Sequence, residues 1–277
     1  MSWKIPETGL ETDVLLIKKD TVRKLADAAR AIEYPGGTID DAPISLRDIP
    51  SYIDGYWDEL EKLIKYRGCR FLFQYATDIK DFGDLISHVE LAPDLYEMFR
   101  SCTQLVHAPT LKTSKVTSMQ SMYYGCKSLV SAPTYDTSKC TNFSYMYANC
   151  TNLTDVGTLD LSNATNVTKM FENCPKLTNV DLRNIGISIR IAGSPNTSIG
   201  KYLTYSCLVN LANELKGTGH TLYVSAHLRG AKLKQIFVNV DSEGNAVFNA
   251  YTVPAKQPEG TISLHQFIEN KGWTISI

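Results

Sequence analysis

From residue 98 onward the apolar positions keep a fixed period. Met98, Met122, Met146 and Met170 are 24 residues apart, as are Cys102, Cys126, Cys150 and Cys174, and Leu105, Leu129, Leu153 and Leu177. An aromatic follows each methionine, at Phe99, Tyr123, Tyr147 and Phe171. Polar positions keep the same interval: TSK at 113–115 recurs at 137–139 and relaxes to LSN at 161–163. Inside one unit, Met119, Met122, Tyr123 and Cys126 have helical spacing and predict one face of a short helix. Leu129 and Val130 open a short strand that ends at Ala132-Pro133, and the TSK turn offers hydroxyls to cap the next helix. A helical turn plus a short strand cannot bury its apolar face alone, so the units are expected to stack with identical positions above one another. The strands would form a parallel ladder spaced by about 4.8 Å. The methionine, cysteine and leucine columns would be its core.

The flanking segments carry other patterns. In 1–68, DTVRKLADAARAI (20–32) predicts a helix capped by Asp20, with Val22, Leu25, Ala26, Ala29 and Ile32 as its stripe. A second helix begins near Pro50, carries Ile53, Trp57, Leu60 and Ile64 on one face, and stops at Gly68. Residues 69–190 form the repeat block, with FLFQYA (71–76) read as a strand in its N-terminal cap. In 191–277, a helix is expected at 206–217, a strand in HTLYVSA, a hairpin around DSEGN, and a closing helix and strand in SLHQFIENKGWTISI. The fold class expected is mixed α/β. It is a short leucine-rich-repeat solenoid of 24-residue repeats with an N-terminal helical module for attachment or oligomerisation and a C-terminal α+β cap with a hairpin region.

Composition narrows the chemistry. A net charge of -1 over 277 residues argues against a nucleic-acid binder acting through bulk charge. No stretch has the length of a membrane span, and the first residues do not follow a signal-peptide pattern, so synthesis in a cytoplasm is expected and membrane insertion is not. Seven cysteines without CxxC spacing, and five histidines without an HExxH frame, read as free thiols and no metal site. A nucleophilic cysteine occurs once, beside a base. Here the thiol recurs by period, so Cys102, Cys126, Cys150 and Cys174 read as core filling. No catalytic residue and no cofactor is expected. Tyr124, Tyr135 and Tyr145 lie outside the aromatic core column and are the candidate binding residues, since tyrosines on a repeat surface stack on sugars or anchor protein contacts.

The frame MYYGCKSL…TSKCTNFSYMYANCTNL resembles the BspA-like leucine-rich repeats, a family of bacterial surface proteins and phage structural proteins. Two units depart from that family's pattern by carrying Ala-Pro where Leu-Asp is usual, and proline cannot donate to a ladder. The N-terminal helix pair is similar to a small module of phage tail and virion proteins. The resemblance implies a non-enzymatic virion protein of a tailed phage, a tail, collar or capsid-fibre component made in the host cytoplasm and located in the virion. Its implied partners are other virion proteins, a host surface glycan or protein, and sister chains in a homo-oligomer. The alternative is a bacterial BspA-like cell-surface adhesin. A third class, an enzyme with an unrecognised site, has no catalytic frame to carry it.

Overall fold

The computed structural model describes residues 44–45, 69–70, 72–77, 79–82, 91–177, 180–190, 205–223, 236–247 and 256–276. The expected helices at 20–32 and from Pro50 to Gly68 lie outside these residues.

Each repeat is a chain of tight turns. Ser121 and Gly125 have φ of 54° and 74°, and the same two positions recur as Glu97 and Ser101, Tyr145 and Asn149, and Lys169 and Asn173. A positive φ at the third residue of a turn is what a type II turn requires. Amides of Met122 and Cys126 accordingly close back on the carbonyls of Met119 and Tyr123 at 3.2 and 3.1 Å. The alternate amides, of Met119, Ser121, Tyr123 and Gly125, donate to carbonyls of Asn142, Ser144, Met146 and Ala148 in the next unit at 2.8–2.9 Å. Neighbouring units are thus held in register by main-chain bonds, and like side chains fall above one another. Phe73, Phe99, Tyr123, Tyr147 and Phe171 stack with ring centroids 5.3, 5.2, 5.5 and 6.0 Å apart, each pair within 12° of parallel. The methionine, cysteine and leucine columns are buried with them.

This architecture corrects the expected fold class. The mixed α/β leucine-rich-repeat solenoid called for a helix in every unit and a continuous strand ladder. Among the described residues there are two short helices, both beyond the repeats, and only small sheets of two or three strands. The left-handed residues explain the missing helices, because they reverse the chain every few residues and no i→i−4 series can start. Proline explains the broken ladder. Units carrying Pro109 and Pro133 make single bridges, His107 to Ser131 and Ser131 to Asp155. Between one repeat and the next, strands pair only past the prolines, where β3 (Thr158–Asp160) runs parallel to β4 (Asp181–Arg183).

The stack also starts earlier than the period shows. Phe73 and Tyr75 donate their amides to Met98 and Arg100 at 2.8 Å, as Phe99 and Ser101 do to Met122 and Tyr124. LFQYATDI (72–79) is therefore a further unit, with Leu72, Ala76 and Ile79 in the places of methionine, cysteine and leucine. The strand expected over 71–76 is a turn at residues 72–75. β2 (Ile79–Asp81) follows it and pairs in parallel with β1 (Ile44–Ser45).

Past Arg183 the stack gives way to other elements. The amide of Ile185 donates to Glu214 and its carbonyl accepts from Lys216, both at 2.8 Å. α1 (Tyr205–Asn213) covers this end, with Cys207, Leu208, Leu211 and Ala212 buried. β5 (Ile189–Arg190), β6 (Thr221–Tyr223) and β10 (Thr274–Ser276) form one parallel sheet in the order β10-β6-β5. β7 (Phe237–Val240) and β8 (Ala246–Val247) make the hairpin about Asp241, and β9 (Ile262–Ser263) pairs on the other side of β7. α2 (Leu264–Asn270) is capped by the Ser263 hydroxyl accepting from Gln266 N.

Candidate functional site

The thiols point inward. Cys102, Cys126, Cys150 and Cys174 are fully buried, and each S–H donates to a carbonyl of the preceding unit, those of Phe73, Phe99, Tyr123 and Tyr147, at 3.0–3.1 Å. Burial pushes the Cys174 thiol up to about 12 against a small opposing hydrogen bond, and burial with the neighbouring Cys126 and Cys174 raises Cys150 as well. A thiol held protonated in an apolar column is a poor nucleophile and a poor ligand. Met98, Met122, Met146 and Met170, with Leu105, Leu129, Leu153 and Leu177, line the same interior.

The three candidate tyrosines do not share one place. Tyr135 is inside the stack: its hydroxyl donates to the Pro109 carbonyl at 2.9 Å and lies 2.6 Å from the Tyr123 hydroxyl. Its phenol is pushed up by burial. It anchors the turn and does not reach the surface. Tyr124 and Tyr145 are half-buried on an outer face, with ring centroids 6.4 Å apart.

Four residues that the periodic frame did not single out complete that face. The Arg100 guanidinium lies over the Tyr124 ring, 4.7 Å from its centroid, and the Lys169 ammonium is 5.7 Å from the centroid of Tyr145. Arg100 is paired with Glu97, which also accepts from Gln74 Nε2 at 2.6 Å. Lys169 is paired with Glu172 at 2.9 Å. Burial works against the Arg100 charge, and Glu97 more than offsets it; the hydrogen bond and charge of Glu172 raise the pKa of Lys169. Both cations stay charged throughout the working pH range. These residues belong to two further columns of the period, which lie outside the core frame and mix exposed and buried places. One holds Arg100, Tyr124, Ala148 and Glu172, directly after the core aromatics; the other holds Glu97, Ser121, Tyr145 and Lys169, two residues before the aromatic's place is reached from each methionine's preceding turn. Reading those columns, and not only the core ones, would have found them.

The strip Glu97–Arg100–Tyr124–Tyr145–Lys169–Glu172 crosses four stacked units. It combines aromatic faces, cations and acids, with no net charge. Its chemistry is that of contact: apolar area from the rings, orientation from the flanking ion pairs. Among the described residues no group of three or more His, Cys, Asp or Glu side chains is arranged to hold a metal ion. No helix there is long and apolar enough to cross a membrane. The model of the family DUF285, described as "Mycoplasma protein of unknown function", matches residues 93–189, which is the repeat block and about a third of the chain. No curated protein and no solved structure matches the chain.

Proposed function

We propose that the protein is a non-enzymatic structural component of a phage particle, of tail, collar or capsid-fibre type, whose stacked repeats present an outer face for packing against protein or for host recognition. The observation that carries the contact role is the Arg100–Tyr124–Tyr145–Lys169 strip, because tyrosine and arginine are the residue types that most often supply binding energy at interfaces. The particle setting rests on the resemblance of the repeats and of the N-terminal segment to virion proteins. Mass spectrometry of gradient-purified particles tests it: the chain is expected at stoichiometric copy number, and its absence from infectious particles overturns the assignment.

One observation favours the adhesin reading. The matching family is described from a bacterial genus. On that reading the chain is displayed on a cell, and protease treatment of intact cells removes it.

A further inference from the structure

The surface strip is self-complementary. Each of its two columns carries a cation at one end and an acid at the other: Arg100 to Glu172 in one, Lys169 to Glu97 in the other. The order along the stack, acid–cation–Tyr–Tyr–cation–acid, reads the same from both ends. Ser121 and Ala148, the column mates of the two tyrosines, are small and buried, so Tyr124 and Tyr145 form the raised centre. Lys169, with about half its side chain exposed (47%), and Arg100, with about a third (32%), flank them at the rim.

We propose that this strip is the isologous interface of a two-fold homodimer in which the stacks run antiparallel. The axis crosses the strip at right angles to the stack, between the Met122 and Met146 units. A two-fold interface sets each residue against its symmetry mate, so a patch must complement its own reversal. Reversal brings Arg100 towards Glu172 of the partner subunit, once at each end by the two-fold, while Glu97, with only 6% of its side chain exposed, stays paired with Arg100 of its own chain. Opposite charge therefore meets at both ends, and apolar rings meet at the centre. The two Tyr124 side chains pass each other one unit apart, about 4.8 Å in ladder spacing, and so do the two Tyr145 side chains. The strip has no net charge, which suits an uncharged or self-matched partner better than a polyanion.

This inference rests on the strip as a contact surface and names its partner, a second copy of the chain. It is tested on the full-length protein by sedimentation equilibrium and by cysteine cross-linking. The wild type is expected at twice the 30.8 kDa chain mass. Glu172→Lys, which sets like charges together, is expected to shift it to the monomer mass with an unchanged circular dichroism spectrum. Tyr124→Cys alone and Tyr145→Cys alone are each expected to form a disulfide-linked dimer on mild oxidation, since the native thiols are buried. A disulfide formed only when the two variants are mixed would mean parallel stacks and overturn the antiparallel dimer. A wild-type monomer at all concentrations would overturn the dimer itself. So would a monomer that binds neutral hexasaccharides through Tyr145, lost in Tyr145→Ala, which would assign the strip to a glycan. Absence from phage particles leaves each of these outcomes unchanged, so the two proposals fail separately.

Discussion

Single side chains inside the stack have different energetic roles even at equivalent positions. Tyr123 and Tyr147 are one period apart, yet Tyr123 shares a hydrogen bond with Tyr135 while the Tyr147 hydroxyl, fully buried, has no partner among the described residues. Leu159 stands where Tyr135 would have to be repeated, which is why. Tyr147→Phe is therefore expected to leave stability unchanged or raise it, because it removes an unsatisfied buried hydroxyl. Tyr123→Phe is expected to lower it by about 1 kcal/mol, the net worth of a typical hydrogen bond; urea denaturation of the pair reads the difference. Gly157 answers a second constraint. Its φ is 62°, and a Cβ there would come within 2.7–2.9 Å of the Pro133 and Thr134 backbone. Gly157→Ala is expected to cost about 2–4 kcal/mol from left-handed strain plus overpacking. Gly219→Ala, equally left-handed but facing open space, is expected to cost only about 1–2 kcal/mol. Buried thiols set an alkaline limit. The folded values of Cys140 and Cys174 are raised to about 12. Below the unfolded thiol value of about 8.5 both states are protonated and pH has no effect; above it the unfolded chain ionises first, and stability falls as pH rises towards 12. Urea midpoints should hold below about pH 8 and drop by about pH 10.

The unit is where sequence and structure part. The 24-residue interval and the apolar columns were legible, because stacked units repeat their buried positions whatever their backbone does. The helix was not. Met119, Met122, Tyr123 and Cys126 have helical spacing, but a chain of turns with left-handed Ser121 and Gly125 turns the same four side chains inward. Ser, Glu, Tyr, Lys and Asn at the equivalent positions give no glycine signal, so the left-handed conformation was hidden in most units. The Ala-Pro departure did carry information, since from one repeat to the next strands pair only beyond Pro133. The unit at 72–79 was hidden by its offset, 26 residues from Phe73 to Phe99, and by Leu, Ala and Ile in the defining places. Leu129→Ala, in the middle of a fully buried column, is expected to cost about 2–5 kcal/mol by thermal or chemical denaturation. If the units fold as one cooperative body, all probes will report the same transition.

At the scale of the whole molecule, order is imposed from inside. The period dictates every twenty-fourth side chain of the interior, and the surface columns are free to vary. That freedom is why Tyr124 and Tyr145 could be picked out as surface tyrosines while Tyr135, equally off the core column, could not be told apart from them. It sits twelve residues after Tyr123, on the returning side of the same unit, and that closeness exists only once the turn is built. Arg100 and Lys169 were invisible for the same reason: each gains meaning from a ring in the neighbouring unit of its own column. The account depends on the four periodic thiols lying sealed between stacked units. Alkylation of the folded protein by iodoacetamide at about pH 8, where a free thiol is partly ionised, followed by peptide mass spectrometry, measures this directly. Cys102, Cys126, Cys150 and Cys174 should remain unmodified until urea unfolds the chain and then react together. Modification of any of them at the rate of an exposed thiol, in protein that is still folded, would contradict the stack.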